Sequence, residues 1–476
     1  MATHKFKKII GFLFLTIVNA FAFENPSDST AFTLVDSARN FQINVHAKLL
    51  DSLSIVNLEN AKTHYDNSAS IRFLVDGHFT DALKFQTRIK INTDNTNRYI
   101  ADHFYNPEEG LAYNKQSENK RTWDLFSANA SYELAPLTLL TGFDYLELGP
   151  ARRQHVILRG EHSFFRPWQD SSSRIYDPAP IPYFGYQFEI GPVTYKQYAA
   201  KVFEKKGYNK YFHMHHLAFR FPFNIELGLS ETSIYGTTTE AAGTNPNLDA
   251  DSSGREMEWT YVIPFIPYMF EEHILGDKDN KSLAFDLSVK TIRNWELYAE
   301  LLWDDMKSPT SMFDDSWWGN KWATTIGIAR DNMRLGEVKM DWFTEYTRIE
   351  PWVYTHHKGS GFTYSNYAQS LGSDLGPNSE EFHAELSATW KFIKGTLSAG
   401  IVSKDTAFGG NLYDIHGPED PIDKKFLNKE TTMEYKELGA ALSIDPWYFV
   451  SLKMSYTRFF GDYEGYRATA TGSLQF

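Results

Sequence analysis

The segment Tyr466-Arg467-Ala468-Thr469-Ala470-Thr471-Gly472-Ser473-Leu474-Gln475-Phe476 alternates between two kinds of side chain along its whole length. The even-numbered residues are apolar or small, and the odd-numbered residues are all polar. Because successive side chains of a strand point to opposite faces, the segment predicts a strand with one apolar and one polar face. A tilted strand of about 10 residues crosses a bilayer as part of a closed barrel. An aromatic last residue is also what the machinery that assembles outer-membrane barrels commonly reads, so we expect that machinery as a partner during biogenesis.

Similar segments recur from Ser68 onward. Large apolar and polar side chains alternate in residues 69–79, 83–92, 283–290, 295–304 and 382–392. Tight connections such as Thr80-Asp81 and Arg293-Asn294 join strands in pairs, and long polar connections such as residues 307–321 separate the pairs. This arrangement predicts an all-β transmembrane outer-membrane barrel of about 18 antiparallel strands, with 16 possible. Short turns would lie on the periplasmic side and long loops on the extracellular side. A soluble β-sandwich or propeller would share the strand pattern but not the other features.

The amino-terminal residues predict export. Three lysines precede an apolar run over residues 9–18, and Ala20-Phe21-Ala22 fits a small-x-small cleavage site, so residues 1–22 are interpreted as a signal peptide. Outside residues 41–47, residues 23–66 alternate poorly and are expected to form a periplasmic or luminal segment, with residues 31–50 open to a partly helical interpretation. One further strand is expected near residues 41–49 or 155–160. The barrel is expected over residues 67–476. These expectations place the protein in the outer membrane of a Gram-negative-type bacterium.

Composition excludes several classes of site. The chain has no cysteine, which rules out disulfides, thiolate metal sites and cysteine catalysis. Its formal charge is −13, and removal of the three signal-peptide lysines makes it −16, so bulk electrostatics disfavour nucleic acid as a partner. No phosphate-binding glycine motif or nucleophile elbow occurs, and no cofactor is predicted. Aromatic residues make up 16% of the chain, which suits both membrane-interface belts and sugar-stacking surfaces.

Three stretches carry a family resemblance. They are residues 276–286, the series Glu345-Tyr346-Thr347-Arg348 with Pro351-Trp352-Val353-Tyr354-Thr355-His356, and the series Asn366-Tyr367, Gln369-Ser370-Leu371-Gly372 and Leu375-Gly376-Pro377-Asn378-Ser379. In order and spacing they resemble the Wzi-like outer-membrane capsule-assembly family, over roughly residues 142–379. The resemblance implies a barrel of about 18 strands that organises or retains capsular or other surface polysaccharide, as a lectin and not as an enzyme.

The first group of candidate ligand-binding residues surrounds the connection over residues 307–321. Carboxylates accept hydrogen bonds from sugar hydroxyls, and indole faces stack on the C–H surface of a sugar ring. The members of this group are Asp304, Asp305, Asp314, Asp315, Trp317 and Trp318. The indoles would equally suit membrane-interface anchors and the carboxylates a solvated loop. Two of the carboxylates could also form a glycosidase pair, although spacing in sequence does not establish their separation in space.

A second group coincides with the family-like motif and combines stacking rings with neutral donors: Trp352, Tyr354, His356 and Tyr364. These residues could bind a glycan or fix the packing of their own loop.

A third group is basic. Arg152 and Arg153, with Arg159 and Arg166 nearby, could bind an anionic glycan, or could form internal ion pairs with carboxylates such as Glu147 and Glu161. His213 and His215 would share a face of a strand, but no partnering cluster accompanies them, so no metal site is predicted.

We therefore interpret the chain as an outer-membrane barrel that binds or organises surface polysaccharide and has outer-membrane lipid around it. The alternative is a porin-like channel for sugars or oligosaccharides. An outer-membrane glycan hydrolase is a third, less favoured interpretation.

Overall fold

The computed structural model describes eleven stretches of the chain: residues 32–36, 40–59, 63–92, 122–168, 178–203, 209–236, 255–275, 279–305, 309–357, 359–367 and 369–476. The signal peptide expected over residues 1–22 lies outside them.

Strands make up most of the described chain. They are β1 (Phe32–Asp36), β2 (Phe41–Leu58), β3 (His64–His78), β4 (Leu83–Asn92), β5 (Thr122–Leu134), β6 (Leu137–Asp144), β7 (Glu147–Leu148), β8 (Leu158–Arg159), β9 (Ile181–Ile190), β10 (Val193–Val202), β11 (Lys210–Phe221), β12 (Ile225–Gly236), β13 (Asn280–Val289), β14 (Trp295–Asp305), β15 (Lys321–Leu335), β16 (Val338–Ile349), β17 (Ser365–Asn366), β18 (Gln369–Ser370), β19 (Ser379–Trp390), β20 (Ile393–Asp405), β21 (Thr432–Trp447), β22 (Val450–Gly461) and β23 (Gly465–Gln475). One helix, α1 (Tyr268–Leu275), and the short 3-10 turns Trp259–Val262, Pro309–Ser311 and Ser360–Phe362 lie in connections between them.

Eighteen of these strands form one closed antiparallel barrel within the described residues. Each strand from β2 to β6, β9 to β16 and β19 to β23 pairs with the next one along the chain. The sheet closes because β23 pairs with β2, from Lys48 opposite Gln475 to Leu58 opposite Gly465. Closure leaves no free sheet edge along the paired stretches, as a membrane-spanning sheet requires. The predicted fold class is confirmed, with 18 strands and not 16.

The connections differ between the two ends of the barrel. At one end, turns of two to five residues join the strands, including the predicted turns at Thr80-Asp81 and Arg293-Asn294. We call this the turn end. At the other end, the loop end, lie the described parts of long connections, among them residues 145–168, 369–378 and 406–431.

The two faces of each strand have different surroundings, as β14 shows. Glu296, Tyr298, Glu300, Leu302 and Asp304 are buried, whereas the side chains between them are more accessible. The polar face predicted for this strand therefore points into the barrel. The outer surface carries exposed apolar side chains, among them Leu49, Leu139, Leu229, Leu297, Ile326, Leu386, Leu397 and Leu438.

The expected boundary of the barrel near residue 67 needs correction. Strand β2, Phe41–Leu58, belongs to the barrel wall, although residues 23–66 were expected to form a separate segment. A further strand was expected near residues 41–49 or 155–160, but the adjacent Leu49 and Leu50 interrupt the alternation, so the extent of β2 to Leu58 was not predicted. Pairing with β3 on one side and β23 on the other determines its conformation instead. Strand β1 pairs with the first residues of β2, beyond the end of β23.

Among the described residues, no helix has both the length and the apolar composition needed to span a membrane.

Candidate functional site

Buried carboxylates line the inner wall of the barrel. They are Asp286 on β13, Glu296 and Glu300 on β14, Glu345 on β16, Glu381 on β19 and Glu437 on β21. A buried charge is costly unless hydrogen bonds or an opposite charge compensate it. The compensation comes mainly from residues 145–168, a stretch of the β6–β9 connection that enters the lumen and that we call the plug.

Glu345 binds three consecutive backbone amides of the plug. Its carboxylate accepts hydrogen bonds from the N–H groups of Arg152 at 2.9 Å, Arg153 at 3.2 Å and Gln154 at 2.7 Å. Residues without regular secondary structure leave such amides without partners, and a wall carboxylate satisfies them here. The plug backbone is therefore fixed to β16.

Glu300 binds the same part of the plug from β14. It accepts hydrogen bonds from the N–H groups of Ala151 at 3.0 Å and Val156 at 2.8 Å. Gly149 lies against this carboxylate with φ of +106°, and a Cβ atom at this position would overlap the Glu300 side chain. The glycine of the Gly149-Pro150 pair is thus required both by its backbone conformation and by the close approach.

Two arginines of the plug form a buried charge network with two wall carboxylates and with Asp374 of the connection between β16 and β19. Arg153 Nη2 lies 2.8 Å from Glu381 Oε1 and 2.9 Å from Glu437 Oε1. Arg166 Nη2 lies 2.9 Å from Asp374, and its Nη1 lies 3.2 Å from Glu381. Charge-assisted contacts of this kind orient the plug as well as neutralise the wall.

Arg152 completes the attachment nearer the turn end. Its guanidinium contacts Glu296 at 2.9 Å and Asp331 at 2.7 Å. The alternative of internal ion pairing therefore describes Arg152 and Arg153 better than glycan binding does. For Arg152, Arg153 and Arg166, the expected partners Glu147 and Glu161 were wrong, because carboxylates far away in sequence supply the contacts.

The plug reaches nearly opposite walls of the barrel. Arg88 on β4 contacts the plug residue Glu161 at 2.6 Å, whereas Arg152 contacts Glu296 on β14. Strands β4 and β14 are eight places apart in the ring of 18. The plug consequently bridges the lumen from side to side.

A second connection, residues 350–378, packs onto the plug from the loop end. The Tyr354 hydroxyl donates to the Val156 carbonyl at 2.9 Å, and the Tyr364 hydroxyl donates to the Ile157 carbonyl at 3.0 Å. Burial raises the pKa of both phenols, so each retains the proton that it donates. Both rings are almost completely buried. These two residues therefore hold the lumen contents together and are not accessible to a glycan in solution.

Asp304 has a similar positioning role. Its buried carboxylate accepts hydrogen bonds from the Tyr354 N–H at 2.8 Å and from Ser282 Oγ at 3.2 Å, and it lies 3.5 Å from Lys321 Nζ. Its neighbour Asp305 is exposed, with its carboxylate 4.0 Å from the same ammonium group. The two aspartates thus point to different environments, and only Asp305 faces solvent.

An apolar cluster fills the space around these polar contacts. It joins plug residues such as Val156 and Ile157 to inward-facing wall residues on β2, β9 to β16 and β20 to β22. The loop half of the lumen is therefore packed like a protein interior.

Above this core, four of the predicted ligand-binding residues share one surface at the loop end with a histidine from the β20–β21 connection. The surface consists of Asp314, Asp315, Trp317, Trp318 and His416, and we call it the platform. The Trp318 and His416 rings stack in parallel, with centroids 3.9 Å apart and planes at 7°. The Trp317 ring lies 6.1 Å from that of Trp318. Asp314 and Asp315 are exposed beside the rings.

Trp352 supports the platform from below. Its buried ring makes edge contacts with Trp318 at 5.8 Å and with His416 at 5.0 Å. Its backbone has a φ of +58°, unusual for a bulky residue, and its N–H donates to the carbonyl of Gly409 at 2.9 Å. Trp352, predicted as a ligand-binding residue, is thus a supporting residue.

Main-chain and ionic contacts join the two loops that carry the platform. The Trp318 N–H donates to the Ile422 carbonyl at 2.8 Å. Lys424 Nζ contacts Asp315 at 3.3 Å and Glu350 at 3.2 Å. The rings and carboxylates are therefore held on paired loops and not on a single isolated one.

The remaining predicted residues lie elsewhere. His356 is half-buried, and its ring packs against His357 at 4.2 Å and Phe362 at 5.5 Å. His213 contacts the Tyr235 hydroxyl at 2.9 Å, and His215 pairs with Glu231 at 2.9 Å. His416 was missed because its loop shows no aromatic clustering in sequence and only the fold brings it to Trp318.

Solved structures of outer-membrane barrels share this architecture. The chain aligns over 90% of its length with 84% of a solved structure at a TM-score of 0.56 and 13% identity. In fold, the chain is similar to Wzi. That protein is described as an outer-membrane protein involved in group 1 capsule assembly in Escherichia coli and as a carbohydrate-binding β-barrel. The resemblance inferred from the sequence motifs is confirmed at the level of fold.

Other similar structures are bacterial outer-membrane proteins of Pseudomonas aeruginosa. OpdK with vanillate aligns with 91% of this chain and 99% of its own at a TM-score of 0.46 and 8% identity. OccK2 (OpdF) aligns with 91% and 97% at a TM-score of 0.47 and 9% identity. No protein-family model matches the sequence, and no curated protein sequence matches it.

Proposed function

We propose that this protein is an outer-membrane barrel that binds or organises capsular or other surface polysaccharide at the platform. The observation that carries the proposal is the stack of Trp318 on His416, flanked by the Asp314 and Asp315 carboxylates at the loop end of a plugged barrel. Aromatic faces take the C–H surface of a pyranose, and carboxylates accept its hydroxyl hydrogen bonds. The carbohydrate binding described for Wzi supports the same proposal.

The surroundings of the platform favour binding to an extended polymer. Trp317 and Trp318 are partly exposed above the buried Trp352, and Asp314 and Asp315 are exposed next to them in the chain, an arrangement that suits a chain lying across the platform. Lys424, held between Asp315 and Glu350, neutralises part of the local negative charge. The outward-facing apolar belt would contact outer-membrane lipid, with the loop end towards the exterior.

The positions of the carboxylates favour glycan binding over glycan hydrolysis. A glycosidase needs two carboxyl groups facing one glycosidic bond. Asp304 is enclosed by Tyr354 and Ser282, whereas Asp314 is exposed and accepts a hydrogen bond from the Ser316 N–H at 2.9 Å. We therefore expect no release of reducing ends from a bound glycan, including in the Asp314→Asn variant.

The porin-like alternative conflicts with the filled lumen. Sugar passage would require the plug to leave contacts with strands on nearly opposite walls, including the buried Arg153–Glu381 and Arg153–Glu437 pairs. In other proteins, the loss of one partner from a buried ion pair costs about 3–5 kcal/mol. Spontaneous opening wide enough for an oligosaccharide should therefore be rare.

A glycan array with the purified protein in detergent tests the proposal. Native protein should retain at least one bacterial surface polysaccharide, and Trp318→Ala should weaken retention roughly two- to twelvefold, since one aromatic contact contributes about 0.5–1.5 kcal/mol beyond its buried area. Trp390→Ala is the matched control, because this exposed indole lies at the turn end and should not affect binding. Absence of retained polysaccharide at any salt concentration, or equal losses in both variants, would contradict the proposal.

A further inference from the structure

Three side chains of the plug converge outside the platform: Glu147, His155 and His162. One carboxylate oxygen and one nitrogen from each imidazole all lie within 4.8 Å of one another. We propose that this trio is a zinc site that fastens the plug hairpin. Two imidazoles and one carboxylate form a donor set that zinc takes in proteins, with water as the fourth ligand.

The local fold brings the ligands together from both ends of a hairpin. Strands β7 and β8 pair with Glu147 opposite Arg159, and the Gly160 N–H donates to the Leu146 carbonyl at 3.1 Å. Gly160 has a φ of +58°, and a Cβ atom there would overlap the Glu147 side chain. The turn therefore leaves space for the carboxylate beside His162, which follows it.

The contact of one His155 nitrogen with Glu300 orients the ring, which leaves the second nitrogen available to a metal. Its Nδ1 lies 3.0 Å from Glu300 Oε1, whereas its buried Nε2 has no hydrogen-bond partner among the described residues. The ring is 1% exposed, so water does not readily replace such a partner. If Nδ1 carries the proton donated to Glu300, Nε2 presents its lone pair. A carboxylate behind the imidazole is the usual support of a metal-binding histidine.

The other two ligands, His162 and Glu147, are partly exposed, so a zinc ion can reach the site from solvent. His162 Nε2 and Glu147 Oε2 are 3.2 Å apart, and their side chains are 36% and 50% exposed. Ligand atoms about 2.0–2.1 Å from a tetrahedral zinc lie about 3.4 Å from each other, so this pair already has a suitable spacing. The rings of His155 and His162 have centroids 4.8 Å apart. A small rotation of the accessible His162 ring would bring its nitrogen closer to that of His155.

A second trio shows why the plug site is the better one. Glu381, His383 and Glu437 also converge within 4.8 Å. Two guanidinium groups already contact these carboxylates, Arg153 on both and Arg166 on Glu381. Two fixed positive charges beside the ligands disfavour a divalent cation there. No described arginine or lysine forms an ion pair with Glu147.

Zinc titration of the folded, full-length protein in detergent tests the site. Calorimetry should give one zinc per chain with a dissociation constant of about 1 µM or tighter. His162→Ala and Glu147→Gln should each weaken binding at least about tenfold, and both residues are accessible enough for the fold to tolerate the change. His383→Ala is the matched control and should bind zinc like the native protein. Cobalt substituted for zinc should give a visible spectrum that His162→Ala removes.

Two results would overturn the site. One is the absence of saturable zinc binding by the native protein up to roughly 100 µM. The other is equal affinity in native protein, His162→Ala and Glu147→Gln. Weakening by His383→Ala, with His162→Ala and Glu147→Gln binding like the native protein, would assign the metal to the other trio and would overturn the site as well. Because the platform residues are unchanged in every variant, the outcome is independent of glycan binding.

Discussion

At the residue scale, charges buried in the lumen are compensated by partners far away in sequence. Glu381 receives Arg153 and Arg166 from the plug, and the Arg153–Glu437 contact joins residues 284 positions apart. The sequence indicated a basic cluster and left internal pairing open, but it could not indicate which carboxylates would face it. Pairing across a barrel depends on which strands face each other through the plug, and alternation within one strand carries no such information.

Removal of one carboxylate charge should show what this network contributes. Glu381→Gln leaves Arg153 with Glu437 and Arg166 with Asp374 as their remaining carboxylate partners, and it removes the charge that both buried guanidinium groups share, so we expect the free energy of unfolding to fall by up to about 3–5 kcal/mol. Urea titration in detergent, followed by tryptophan fluorescence, measures the change. Glu385→Gln on the same strand is the control and should change the value by less than about 0.5 kcal/mol. Similar effects of the two substitutions would argue against a plug held by these pairs.

Alanine substitutions at two glycines, one crowded and one open, distinguish the cost of steric overlap from the cost of backbone strain. Gly149→Ala would place a methyl group on the Glu300 carboxylate, whereas Gly191, with φ of +59°, has no atom near its missing Cβ. Both substitutions require an alanine in a left-handed conformation, at a cost of about 1–2 kcal/mol. Gly149→Ala should cost about 1–3 kcal/mol more than Gly191→Ala, because of the overlap. Equal destabilisation in the same urea titration would mean that Gly149 is not packed against Glu300.

At the scale of single elements, the sequence predicted a strand correctly where polar and apolar residues alternate along that strand. In β14 every second residue is buried in the lumen, as the alternation predicted. In β2 the adjacent Leu49 and Leu50 obscured the pattern, and pairing with β3 and β23 determined the strand. The platform was predicted in part, since Trp317 and Trp318 adjoin in sequence. Its His416 comes from a loop about a hundred residues later and had no local signal.

Helix α1 carries a carboxylate whose environment predicts a pH dependence. Burial, and then the nearby Glu231 carboxylate, raises the pKa of Glu271 to about 7 from 4.5. Its two oxygens have no hydrogen-bond partner among the described residues. His215 lies 2.9 Å from Glu231, so this imidazole contacts Glu231. A carboxyl group with a raised pKa favours the folded state below pH 4.5, and this contribution is lost as the pH rises from 4.5 through 7.

The backbone amides of α1 should therefore open more readily at pH 8 than at pH 5. Hydrogen exchange corrected for intrinsic rates should show opening at least about tenfold more frequent at pH 8. Glu271→Gln should remove the difference, because it cannot ionise. Glu256→Gln, at an exposed position, should retain it. A pH dependence that persists in Glu271→Gln would show that another group causes it.

At the scale of the whole molecule, closure and filling act together. Closure gives the backbone N–H and C=O groups of the wall strands hydrogen-bond partners within the sheet. The plug and the 350–378 connection fill the loop half of the lumen with an apolar cluster. The strand count, closure and turn–loop alternation could be predicted because each follows from local patterns. The filling of the lumen could not be predicted, because it depends on how two loops fold inward. Above the packed loop half of the lumen, the platform presents partly exposed rings and exposed carboxylates at the loop end.

The central claim is therefore that the barrel is closed to solutes and acts through its platform, and single-channel recording in planar bilayers tests it most directly. The native protein should show no steady ohmic conductance. A variant with residues 147–159 replaced by a short Gly-Ser linker is feasible, because the Gly160 N–H already donates to the Leu146 carbonyl at 3.1 Å. That variant should conduct steadily. Steady ohmic conductance of the native protein would contradict the account and support a sugar channel.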